Sequence, residues 1–226
     1  MFDKIDPDGQ NLGALHRMAL RFGDRNLQDN LAILYCFDMK MMHIAAQSSE
    51  MMIGQIKLAW WRDKLSADFE SWPKGEPLLN IISEFTENGE GLIKACSQLV
   101  DMWEEYMIYA EQGDVEIDVM AAMRSKIYAN FYKNCGHILP ENIQISLLNW
   151  SKSLFASRFK AQDVHDTANK AYYPPRGPNS PSAYRNIAML MEADFMEHKL
   201  SAESPMSILS KIGLYLRFLR KGYFGR

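Results

Sequence analysis

The sequence predicts an all-α chain, and three observations carry that reading. The 226 residues include only 4 Val and 2 Thr, the residue types on which sheets draw. They include 15 Met beside abundant Leu, Ala, Glu and Lys, which are good helix formers. The apolar residues recur at three and four residues instead of alternating, which is the helical period.

Taken in order, the first helix starts with Asp29 and Asn30 as caps and runs to about Gln47, with Leu31, Leu34, Tyr35 and Asp38 at helical spacing. A second begins near Glu50, where Ile53, Ile56, Trp60 and Leu65 make one stripe, and stops at the Ser71 to Gly75 break around Pro73. Helical patterns continue over Pro77 to Phe85, Leu92 to Ala110, Ile117 to Leu139 and Glu141 to about Lys160, with Gly89, Gly91, Gly113 and Pro140 between them. Pro174, Pro175, Pro178 and Pro181 make Tyr172 to Ser182 a long extended loop. Two closing helices follow, Ser182 to Leu200 and Pro205 to Lys221. No internal repeat divides the chain, so the expectation is one domain over 1–226, a single bundle of about eight helices.

Charge excludes more than it assigns. With 25 basic and 28 acidic residues, a formal charge of -3, the chain offers no global attraction to nucleic acid, and no basic block is interleaved with aromatics. The longest clean apolar run, Leu31 to Phe37, is far short of the roughly 20 residues that cross a bilayer. Met1 to Gln10 is acidic, not a basic leader to an apolar stretch. Cys36, Cys96 and Cys135 are odd in number and set in apolar stretches, which suits reduced core thiols. The expected location is cytoplasmic.

Several groups of residues invite a functional reading. Asp101, Glu104 and Glu105 share a helix face and offer either a metal-holding cluster or a solvated face. His16, His43, His137, His165 and His198 show no paired spacing with cysteine or with each other, which gives no support to a zinc site. Glycine fingerprints for phosphate or dinucleotide binding and the nucleophile elbow are absent. Met39, Met41, Met42, Met51 and Met52 cluster, which fits an adaptable apolar cavity or a filled core. Lys211, Arg217, Arg220 and Lys221 lie among apolar and aromatic residues at the end of the chain. Such a helix suits peripheral contact with an anionic membrane surface, or packs into the core with cations at its final turn.

Leu34, Tyr35, Cys36 and Phe37, followed downstream by Gly54, Leu58, Trp60, Trp61, Arg62 and Leu65, form the most distinctive pattern in the chain. Over roughly 30–65 it resembles the squalene/phytoene synthase family. The resemblance implies an all-helical isoprenoid-synthase fold whose cavity condenses two prenyl diphosphates head to head, with magnesium held by two aspartate-rich motifs. The pocket positions it implies here are Tyr35, Met39, Met42, Ala46, Arg62 and Tyr132. The first motif falls on Met39, Met42 and Ala46, where an arginine and two aspartates belong. The second falls on Asp163 and Asp166, with Thr167 where an acid belongs.

Met and Ala cannot hold a divalent ion. The resemblance therefore implies the fold without the family reaction: no cofactor, and an isoprenoid or other apolar ligand, or a protein partner, as what the chain binds. In this it is similar to the respiratory complex I assembly factor branch and its short bacterial relatives. The alternative is an active magnesium-dependent prenyltransferase acting on farnesyl or geranylgeranyl diphosphate, with magnesium on Asp163 and Asp166.

Overall fold

The computed structural model describes residues 2–6, 11–47, 50–85, 90–158, 182–201, 213, 215–220 and 222. Among these every regular element is a helix. They are α1 (Phe2–Ile5), α2 (Ala14–Leu20), α3 (Arg25–Gln47), α4 (Met51–Ser66), α5 (Pro77–Glu84), α6 (Glu90–Gln112), α7 (Ile117–Asn134), α8 (Glu141–Arg158) and α9 (Ser182–Ser201), with a 3-10 turn at Phe69–Ser71 and a further helical stretch at 215–220.

The long helix α3 forms the axis of the bundle. Leu31 to Phe37 are buried without a break, because a helix packed on all sides needs apolar residues all round. It lies against α4, α5 and α6, while α7 pairs with α8 and α9 with α2. One apolar core joins α3 to α8 and takes in Ile187, Leu190 and Met191 of α9. A second, smaller core joins Leu15 and Ala19 of α2, Met189, Ala193 and Met196 of α9, and Phe218 of the terminal stretch, with Phe22 packed on it.

Helix ends follow from local chemistry. Pro77 opens α5, where its missing N–H is no loss, and the Glu76 side chain accepts from Leu78 N at 3.3 Å. At the end of α7, Gly136 adopts φ +82° and His137 N donates back to Tyr132 O at 2.9 Å, a left-handed stop that favours glycine.

Four sequence expectations are corrected. Helix α3 starts at Arg25, so Asp29 and Asn30 lie inside it and do not cap it. The short α1 and α2 were not foreseen. Helix α7 stops at Asn134, before Leu139, because Gly136 turns the chain. In α4 the buried residues are Gly54, Leu58, Trp61 and Leu65, so Ile53, Ile56 and Trp60 of the expected stripe face outward. The loop expected at Tyr172 to Ser182 and most of the helix expected at Pro205 to Lys221 lie outside the described residues.

Candidate functional site

Two carboxylates, the fully buried Asp38 and the partly exposed Asp194, are each surrounded by donors from several helices. Asp38 of α3 is 0% exposed. Its Oδ2 accepts from Arg124 Nε of α7 at 2.7 Å and from Tyr128 OH at 3.0 Å, and its Oδ1 accepts from Trp103 Nε1 of α6 at 3.0 Å. Arg124 is also fully buried. It donates through Nη1 to Ser151 Oγ at 3.2 Å, and its guanidinium lies 4.0 Å from the centre of the Trp150 ring. Burial opposes the Arg124 charge, but Asp38, Tyr128 and Asp194 outweigh it, so the guanidinium holds its proton more firmly than usual.

The second carboxylate, Asp194 of α9, takes three donors as well. Tyr35 OH donates to Oδ1 at 2.7 Å, and Trp150 Nε1 donates to Oδ2 at 2.6 Å. His16 Nε2 of α2 lies 2.7 Å from Oδ1. An ionised carboxylate only accepts, so the imidazole proton belongs on that nitrogen. Burial pushes the Asp194 carboxyl up, but His16, Tyr35 and Trp150 together pull it below the ordinary carboxylate range. The Tyr35 phenol moves the other way, raised by burial and then by the charge of Asp194. Trp150 links the two centres, since it donates to Asp194 and stacks on Arg124.

Each carboxylate thus commits three of its roughly four acceptor positions to side chains of the chain itself. The arrangement ties α2, α3, α6, α7, α8 and α9 together, and the fully buried Asp38 presents no open edge of the kind a divalent cation requires. Arg124 Nη2 is buried with no hydrogen-bond partner in the protein, which suits a bridging water.

Of the residues singled out by the family resemblance, Tyr35, Met39, Met42 and Tyr132 are buried in the main core, whereas Ala46 and Arg62 are exposed. Tyr35 belongs to the Asp194 centre. Met39 and Met42 are packed in the main core. Tyr132 is buried and donates to Asn186 Oδ1 at 2.8 Å. Ala46 is exposed, and Arg62 is on the surface, held by both oxygens of Glu104 at 2.8 and 2.9 Å. That contact also accounts for Glu104, while Glu105 accepts from Tyr109 OH at 3.1 Å. Among the described residues, no three His, Cys, Asp or Glu side chains are grouped to hold a metal ion, the Asp101 cluster included. Asp163 and Asp166, like Lys211 and Lys221, lie outside the described residues, whereas Arg217 and Arg220 are exposed. No described helix is long and apolar enough to cross a membrane.

Sequence reasoning did not pick out Arg124, His16 or Asp194. A signal existed for the first: Arg124 sits on the α7 face of Met120, Ile127 and Phe131, as Asp38 sits on the apolar face of α3. Opposite charges on two apolar stripes mark a buried pair, since an unpaired one would be prohibitive.

Comparison with known proteins adds one partial likeness. No family model matches the chain, and no solved structure matches it. A cyclic AMP-AMP-GMP synthase of Enterobacter hormaechei subsp. hoffmannii (strain UCI 50) is 28% identical over 121 residues, covering 44% of this chain and 31% of that protein. The chain therefore spans under a third of the length of the relative it matches. The likeness speaks neither for nor against the squalene/phytoene synthase resemblance.

Proposed function

We propose that this chain is a squalene/phytoene-synthase-like protein without the head-to-head prenyl transfer reaction, which acts by binding an isoprenoid or other apolar ligand, or a protein partner. Service to a respiratory complex as an assembly factor is the form of this reading that the family resemblance suggests. The observation that supports it most is the state of α3 where the first aspartate-rich motif would fall. Met39 and Met42 are core residues there, and the neighbouring acid, Asp38, is closed off by Arg124, Tyr128 and Trp103.

Physically, that stretch favours packing over ion binding. Two thioether side chains fill space adaptably, and a carboxylate paired at 2.7 Å with a buried guanidinium would have to break that pair to reach magnesium. Breaking it leaves a buried charge without compensation, which costs about 3–5 kcal/mol. No described residue favours the magnesium-dependent alternative, which rests on Asp163 and Asp166. The partial likeness to a cyclic AMP-AMP-GMP synthase does not bring that activity to this chain.

The binding half of the proposal is tested by purifying the chain from its native membrane and soluble fractions, extracting it with organic solvent and analysing both the extract and the retained proteins by mass spectrometry. A stoichiometric isoprenoid or a stoichiometric protein partner is expected. Neither in the extract nor in the complex, from chain shown to be folded, would overturn it.

A further inference from the structure

We infer that the helical stretch at 215–220 is a contact point for an anionic lipid surface, held in place on the bundle by Phe218 and lying on the membrane without crossing it. Charge is divided unevenly along the chain. Residues 204–226 hold five of the 25 basic residues and none of the 28 acidic ones, so the formal charge of -3 divides into +5 there and -8 over the rest. Attraction to an anionic surface therefore belongs to this stretch and not to the chain as a whole.

The anchor is specific. Phe218 is buried in the small core with Leu15, Ala19, Met189, Ala193 and Met196, and its ring meets the edge of Phe22 at 6.4 Å. Gly222 packs so close to the same Phe22 ring that a Cβ would come within 2.5 Å of it. Phe22 is thus clasped at two points, which fixes how the stretch is turned.

With Phe218 inward, helical spacing decides what faces out. At about 100° per residue, Leu216, Arg220 and Arg217 fall in one sector opposite Phe218, with Tyr215 and Leu219 on its apolar flank. Leu216 is 61% exposed and Tyr215 44%, and both arginines are exposed. Neither arginine takes part in an ion pair among the described residues. On the neighbouring α2, which carries no acid, Met18 is 37% exposed, and Arg21 beside Phe22 is exposed too. Apolar side chains next to cations on an outward face suit the boundary of an anionic bilayer: leucine and tyrosine enter among the acyl chains and arginines reach the phosphates. A short stretch of this kind binds weakly and reversibly.

Flotation of the full chain with phosphatidylcholine vesicles, with and without phosphatidylserine, tests this. Binding is expected with phosphatidylserine and not without it, and to fall as salt is added. Arg217→Gln with Arg220→Gln is expected to weaken partitioning at least about tenfold, at roughly fivefold per cation. Leu216→Ser is expected to weaken it several-fold. All three positions are exposed, so the variants retain the core, and circular dichroism checks that they do. No flotation of folded chain, or flotation indifferent to the arginines, overturns the proposal. Flotation that needs the arginines but ignores Leu216→Ser overturns entry into the bilayer, and an arginine-dependent complex with an acidic protein by a chain that ignores vesicles assigns the face to protein instead. Neither vesicle arm depends on a ligand inside the bundle, so failure here leaves the proposed ligand or partner binding untouched.

Discussion

Replacing Asp38 with Leu removes the acceptor around which α3, α6 and α7 meet. Arg124, fully buried, then loses its 2.7 Å carboxylate partner and keeps Ser151 and the face of Trp150. Removing one side of a buried ion pair costs about 3–5 kcal/mol. Tyr128 and Trp103 lose Asp38 as acceptor as well, at about 1–3 kcal/mol for each buried donor so deprived. These costs share one cavity and do not add, so the expectation for Asp38→Leu is a loss of about 4–6 kcal/mol. That is a large part of the roughly 5–15 kcal/mol that holds a domain folded. The paired variant Asp38→Leu with Arg124→Met removes the stranded charge and should regain at least about 2 kcal/mol, since apolar groups of similar volume replace buried pairs at little cost. Urea unfolding followed by circular dichroism and by tryptophan fluorescence measures both, provided that the two probes coincide and the m-value is unchanged. Asp38→Asn, a milder change, keeps the comparison open if Asp38→Leu does not fold. A loss under about 1 kcal/mol for both single variants, with no gain in the pair, would refute the argument that this ion pair organises the core.

Other outcomes follow from the same interior. Burial pushes the phenols of Tyr35, Tyr128 and Tyr132 well above their ordinary value. They stay neutral in the fold but ionise in the unfolded chain, so the stability they carry is complete below about pH 10 and is lost as pH rises further. Their absorbance change should therefore coincide with alkaline unfolding, and ionisation ahead of unfolding would contradict it. Asp194 is shifted the other way, below its usual 3.8. Its contribution is present above that pH and is lost as pH falls through the lower folded value, so Asp194→Asn should flatten the acid limb of stability against pH. Thiol titration should find Cys135 reactive in the native chain, while Cys36 and Cys96, both 0% exposed with thiols raised by burial, should react only on unfolding. Equal rates for all three would contradict the burial.

The fold class and most helices were legible because long amphipathic segments state their period plainly. Helices α5 to α8 fall close to the expected spans, and the unbroken burial of Leu31 to Phe37 answers to the clean apolar run in the sequence. Helix α4 misled for a physical reason. It carries apolar residues on both faces, Gly54, Leu58, Trp61 and Leu65 against Met52, Ile53, Ile56 and Trp60, so periodicity does not say which face is inside. Helix α2 has only seven residues, opens on Gly13 without a side-chain cap, and is stabilised by α9, far away in sequence. Arg124 and Asp194 were invisible one at a time, because each makes sense only beside donors or acceptors on other helices. The family resemblance pointed at α3, and what α3 holds there is a polar core centred on Asp38.

The most direct test of the central claim is magnesium-dependent pyrophosphate release from farnesyl and geranylgeranyl diphosphate, with lipid products identified by mass spectrometry beside an active synthase of the resembled family. The account predicts no release above background and no head-to-head product from folded protein while the control turns over. Release accompanied by presqualene diphosphate, squalene or phytoene would contradict it.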